Sequence, residues 1–165
     1  MLINLREIKD KIFKKENFYF LITIISIFVL DRYSKNHIIN NFSDNNFYVN
    51  DFINFDLIWN TGIGFGLLSF NSNLFYNLIS GLIASVIIFL IIFAIRSDKF
   101  DKIIFSIIIG GAIGNFYDRI IFNGVPDFID LHYGNFHWFT FNVADIFITI
   151  GIICYIFKEL FVKKS

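Results

Sequence analysis

The chain is poor in the residues on which many secreted and soluble folds rely. It holds one cysteine, Cys154, and one proline, Pro126, in 165 residues. A single cysteine excludes an intramolecular disulfide framework and a cysteine-rich zinc site. One proline beside 24 phenylalanines excludes a disordered or proline-rich linker. Charge is scarce too: 17% of residues are charged, against about 25% in an average chain. Fourteen basic and fourteen acidic residues cancel to a formal net charge of zero, so bulk charge argues against a nucleic-acid partner. What remains is 56% hydrophobic and 20% aromatic. That composition and length suit one integral-membrane domain, residues 1–165.

A helix needs roughly 20 mainly apolar residues to cross a hydrocarbon core about 30 Å thick. Four stretches qualify, at about 18–39, 74–95, 103–121 and 143–161. The first lacks a small-x-small cleavage site and runs into the charged residues from Asp31, so it reads as a retained span. Eleven of the fourteen basic residues lie before span one, between spans two and three, or at the C-terminal end. The segments 40–73 and 122–140 contain no Lys or Arg. The positive-inside rule therefore places both termini and the 96–102 turn in the cytoplasm. The expected fold is a membrane all-α, four-transmembrane-helix bundle with a small extracytoplasmic β-rich segment. That segment is read from the alternation of Phe55, Leu57 and Trp59 with Asn54 and Asp56, and from a similar pattern over 127–133. Residues 4–15 suit a basic helix on the inner surface.

Charges inside apolar segments cost about 2.5–3.5 kcal/mol each at mid-span on insertion scales, so they need a partner or a role. On this topology Asp31, Lys35, Asp118, Arg119 and Asp145 all lie near the outer ends of their spans. Asn60, Asp127 and Asp130 lie on the outer segments. Asp31 and Lys35, four apart on a helix, can pair with each other or serve a site. Asp118 and Arg119 point about 100° apart on a helix, so each should bind another segment, in a structural network or in catalysis. Gly110, Gly111 and Gly114 suit close helix contact, and no nucleotide-binding fingerprint accompanies them. Asp127 and Asp145 have no basic residue within four positions. Unpaired carboxylates at a dehydrated level should hold protons more tightly, as acid–base chemistry requires. His37, His132 and His137 show no zinc-binding spacing, which argues against a zinc site. Cys154, deep in span four, reads as a core-filling residue.

The segments Asp31-Arg-Tyr-Ser-Lys35, Asn60-Thr-Gly-Ile-Gly-Phe65, Gly110-Gly-Ala-Ile-Gly-Asn-Phe-Tyr-Asp-Arg119, Val125-Pro-Asp-Phe128 and Phe141-Asn-Val-Ala-Asp145 occur in that order. Together they resemble bacterial lipoprotein signal peptidase, or signal peptidase II, from span one to span four. The resemblance implies an intramembrane aspartic endopeptidase. It would remove signal peptides from diacylglyceryl-modified prolipoproteins, cutting before the lipidated cysteine. It implies Asp127 and Asp145 as the catalytic pair. Asp31, Lys35, Asn60, Gly62, Asn115, Asp118, Arg119 and Asn142 would shape the site and position the substrate. Pro126 biases Val125 toward extended backbone, which suits a strand presenting Asp127.

Two carboxylates in one dry site should share a proton near neutral pH. One would activate water while the other hydrogen-bonds the scissile carbonyl. This chemistry needs no metal or organic cofactor. The expected partners are lipidated prolipoproteins and membrane lipid, with no nucleic acid, around a monomeric enzyme. The expected location is the bacterial plasma (inner) membrane, multi-pass, with the site near the outer leaflet. Trp59 and Trp138 suit a membrane interface and a cover over the site. A small ion channel subunit would need its polar groups spread through the depth of the bilayer. A non-catalytic membrane assembly protein would not need both aspartates.

Overall fold

The structure, a computed structural model, describes residues 15–42, 47–62 and 73–161. Most of the basic N-terminal stretch, residues 63–65 of the second motif and the C-terminal lysines lie outside the described residues. In chain order the elements are α1 (Lys15–Phe42), β1 (Phe47–Asn50), β2 (Ile53–Asn60), α2 (Asn73–Arg96), α3 (Lys99–Phe122), β3 (Val125–Tyr133), β4 (Phe136–Phe141) and α4 (Val143–Phe161). Each expected apolar run is a helix, and each observed helix reaches as far as its apolar run or extends a few residues past it.

Among the described residues three helices are long and apolar enough to cross a membrane: Asn17–Phe42, Tyr76–Arg96 and Lys99–Phe122. The fourth helix, 19 residues long, carries Asp145, Lys158 and Glu159. Large apolar side chains point outward along these helices, including Leu82, Phe89, Ile153 and Phe157. Water would penalise such a surface, whereas lipid does not. Cys154 belongs to this outward face and fills no core.

The helix α3 is central, packing against α1, α2 and α4. Ile24, Ala94, Ile104, Phe105, Ile108 and Ile109 form the buried cluster between α1, α2 and α3. Its start is capped by Asp98, whose carboxylate accepts from the amides of Phe100 and Asp101 at 2.9 Å each. It ends at Asn123, in the left-handed conformation with φ 54°. Lys158 of α4 reaches Asp98 at 3.2 Å and also pairs with Asp101, tying the far end of α4 to the start of α3.

The expected glycine packing is present. A Cβ on Gly111 would lie 2.6 Å from the carbonyl oxygen of Ala144 in α4. One on Gly114 would lie 2.5 Å from Asp31 Oδ2 in α1. Only hydrogen at these positions lets α3 bring its polar end against both neighbours.

The strands form one antiparallel sheet in the order β1-β2-β3-β4. The strands expected from alternation, over 55–59 and 127–133, are β2 and β3. Pro126 pairs with Trp59 of β2, but β4 pairs with β3 only from Ile129 onward. The missing N–H of proline therefore falls where β3 has a neighbour on one side only.

Candidate active site

Five chain segments meet at one end of the bundle. The C-terminal half of α1 brings Asp31, Arg32 and Lys35; the end of β2 brings Asn60. The end of α3 brings Asn115, Asp118 and Arg119; β3 opens with Asp127, and Asn142 and Asp145 open α4. Every site residue expected from sequence joins one continuous chain of hydrogen bonds.

The chain begins with charge. Lys35 is fully buried and its Nζ donates to Asp31 Oδ2 at 2.9 Å, Asp118 Oδ2 at 2.7 Å and Asn115 Oδ1 at 2.7 Å. Arg32 Nη1 lies 2.5 Å from Asp118 Oδ1, and its guanidinium sits 5.1 Å from the Tyr117 ring centroid. Asp31 also accepts from the backbone amide of Ala144 at 3.0 Å, locking α1 to the start of α4. Asp118 is thus paired across helices, and Asp31 with cations of its own helix. Helical spacing reveals the pair of Asp31 and Lys35 but gives Arg32 no role, because its partner lies on α3.

The chain then turns neutral. Asn115 Nδ2 donates to Asp145 Oδ1 at 2.8 Å. Asn142 caps α4: its Oδ1 accepts from the Asp145 amide at 3.1 Å, and Asp145 Oδ2 accepts from the Asn142 amide at 3.2 Å. This is a reciprocal capping box in which the third helical residue is Asp145. The spacing Asn142-Val-Ala-Asp145 is a local signal for that cap, visible in the sequence once a helix start is expected there.

The side chain of Asn142 also reaches the other carboxylate, Nδ2 donating to Asp127 Oδ1 at 2.5 Å. Asn60 Nδ2 donates to Asp127 Oδ2 at 2.9 Å. Asn60 is held in turn, its Oδ1 accepting from the Gly62 amide at 2.9 Å. Arg119 Nη2 donates to the Gly62 carbonyl at 2.6 Å, and Tyr76 Oη donates to the Arg119 carbonyl at 2.9 Å. Arg119 Nε and Nη1 are buried without a hydrogen-bond partner.

Asp127 and Asp145 line the same cavity of about 310 Å³, with Asn60, Asn115 and Arg119. Its other walls are mainly apolar, from Ile83, Ala112 and Ile152 among others, with Thr149. A second, mainly apolar cavity of about 250 Å³, walled by Phe139, Phe141 and Ile150, also borders Asp145. Burial, and next the charge of Asp145, push the Asp127 carboxyl up to about 6. Its two asparagine donors pull the other way without overcoming burial.

Against known proteins, residues 23–161 match the family described as signal peptidase II. The chain belongs to that family. It is accordingly a hydrolase, an aspartic peptidase of the signal peptidase II type. It is 48% identical over 154 residues to the lipoprotein signal peptidase of Pelagibacter ubique, covering 91% of this chain and 93% of that protein. It is 38% identical to the lipoprotein signal peptidase of Francisella tularensis subsp. mediasiatica, over 89% of this chain and 94% of that one. A solved bacterial membrane enzyme superposes with a TM-score of 0.71 at 27% identity, covering 89% of this chain and 94% of that one. A second superposes with a TM-score of 0.70 at 29% identity, over 89% and 92% of the two chains. The signal peptidase II match spans every residue of the network described above.

Proposed function

We propose that this signal peptidase removes signal peptides from diacylglyceryl-modified prolipoproteins, cutting before the lipidated cysteine, with Asp127 and Asp145 as the catalytic dyad. The observation that carries the reading is the pairing pattern. These two carboxylates share one largely apolar cavity and are held only by neutral donors. Two such groups cannot both ionise comfortably, so the dyad keeps one proton well above the usual carboxylate range, up to about pH 6. The ionised member takes a proton from water, which attacks the scissile carbonyl carbon. The protonated member hydrogen-bonds the carbonyl oxygen and later helps protonate the leaving amine. The proton belongs to the pair rather than to either residue. The free Nε and Nη1 of Arg119 are donors for substrate backbone carbonyls. The apolar cavities flanking Asp145 receive the signal peptide and the lipid on the cysteine.

In this reading α4 is the fourth span, both termini are cytoplasmic, and residues 1–165 act as a single monomeric domain in the bacterial inner membrane. The dyad then lies near the outer leaflet, at the depth where a diacylglyceryl group holds the scissile bond. The carboxylates supply the chemistry without a cofactor.

The test is cleavage of a diacylglyceryl-modified prolipoprotein by the purified chain, beside Asp127→Asn and Asp145→Asn. Each substitution should slow cleavage by about 10²–10⁴-fold while the protein stays folded in detergent. Cleavage surviving at the wild-type rate in both variants would remove the dyad. A folded wild type inactive on several lipidated substrates would point to a membrane assembly role.

A further inference from the structure

Away from the dyad, the β3–β4 hairpin gathers a second set of polar groups. Asp130, His132 and His137 each offer a ligand atom, and these atoms all lie within 4.8 Å of one another. Asp130 Oδ2 is 2.7 Å from His137 Nδ1 and 3.4 Å from His132 Nδ1. The two imidazoles stack at 5.3 Å between centroids and 25° between planes. Asp130 and His132 are 3% and 8% exposed, and His132 Nδ1 is buried with no hydrogen-bond partner. An orphaned ring nitrogen in the interior costs free energy unless something binds it. Beside the cluster, Asn54 pairs in register with Asp130, and its Oδ1 is likewise buried and unpartnered.

The backbone is shaped to make this grouping. From Asp130↔Thr140 and Leu131↔Phe139 the register shifts to His132↔His137. In an unbroken ladder His132 would face Trp138, and His137 would point to the other side of the sheet. The bulge on β4 turns His137 onto the face of Asp130 and His132, as bulges beside sites do. Spacing along the sequence could not show this, because the three residues follow no metal motif and meet only through the irregular register.

We propose that Asp130, His132 and His137 form a binding site for a divalent transition cation of the zinc class. Two imidazole nitrogens and one carboxylate oxygen suit zinc, with a fourth position left for water. Tetrahedral zinc with bonds near 2.0–2.1 Å needs ligand atoms about 3.3 Å apart. The His132–Asp130 separation already matches. His137, with its side chain 58% exposed, is free to open its 2.7 Å contact by the remaining distance. The site is separate from the dyad, since side-chain alternation along β3 puts Asp127 and Asp130 on opposite faces. Its place in the chain gives it a role: β3 carries Asp127, and β4 runs directly into Asn142 and Asp145. A cation joining the strands would staple the hairpin that connects the two carboxylates.

The test is titration of the purified, metal-stripped full chain with Zn²⁺ by calorimetry, after removal of any histidine tag, followed by thermal unfolding with and without Zn²⁺. One equivalent should bind and raise Tm, and excess Mg²⁺ should not displace it. Asp127→Asn should bind Zn²⁺ like wild type, which separates this site from the dyad. His137→Ala, a change at an exposed position, should weaken binding at least about tenfold and abolish the rise in Tm. His132→Gln should do the same; if it fails to fold, His137→Ala decides alone. Wild type that binds no Zn²⁺, or His137→Ala that binds it equally well, would overturn the proposal. So would loss of binding in Asp127→Asn.

Discussion

Four buried or nearly buried aspartates lie within one hydrogen-bonded network, yet they are held in two different ways. Asp31 and Asp118 are matched by Lys35 and Arg32, cations from the helix packed against α3. Asp127 and Asp145 make no ion pair among the described residues; three asparagines and one backbone amide hold them. The first arrangement commits its carboxylates to holding helices together. The second keeps carboxylates in place while leaving the proton free to come and go. Asn115 joins the two, accepting from Lys35 and donating to Asp145. Asn115 thus links the ion-paired cluster to Asp145, the proposed catalytic partner of Asp127, through an oriented neutral donor.

This contrast predicts different failures in the two regions. The largest effect on stability should come from Lys35→Met, which removes the buried cation shared by two buried carboxylates. Breaking a buried ion pair from one side costs about 3–5 kcal/mol, measurable as a lowered denaturation midpoint. Gly111→Ala and Gly114→Ala should follow at about 1–3 kcal/mol each, because the new methyl meets the Ala144 carbonyl or the Asp31 carboxylate. Gly81→Ala is the control: nothing lies within 4 Å of its Cβ position, so its Tm should hold or rise.

The effect of pH should divide the regions next. Asp127 keeps its proton in the fold up to about pH 6, above its usual release near 3.8. The unfolded chain therefore releases this proton first, so this residue's stabilising contribution, complete below about pH 4, is lost as pH rises through about 6. The monoprotonated dyad is depleted over the same range, so kcat/KM should fall on the alkaline side of about 6, approaching tenfold per pH unit. A profile flat from pH 5 to 8 would contradict the coupling of the two carboxylates. The smallest effect belongs to Cys154→Ser, on the outward face of α4: activity unchanged and stability within about 0.5 kcal/mol.

Much of this architecture is legible in the order of residues alone. Apolar runs announce the four helices because each is built from one long, mainly apolar stretch. Alternation of apolar with polar residues announces β2 and β3, although β3 is buried on both faces from Val125 to Phe128. β1 is only four residues long, and β4, Phe-His-Trp-Phe-Thr-Phe, is aromatic on both faces, so neither carries a period. Asp127 and Asp145 stand out by lacking local cations, and Asp31 with Lys35 by helical spacing. Arg32 reaching Asp118, and Asn142 reaching from its cap on α4 to Asp127, depend on contacts between segments that no local spacing encodes. The outward turn of Cys154 is hidden for the same reason, since depth along a helix does not say which face a residue occupies.

The most direct test of the contrast is cleavage rate per folded molecule across four variants: Asp31→Asn, Asp118→Asn, Asp127→Asn and Asp145→Asn. The account predicts that the first two lose stability yet retain measurable cleavage per folded molecule. The last two should stay folded and lose cleavage by about 10²–10⁴-fold. Equal loss of specific activity in all four, or activity retained in Asp127→Asn and Asp145→Asn, would contradict the division between structural and reactive carboxylates.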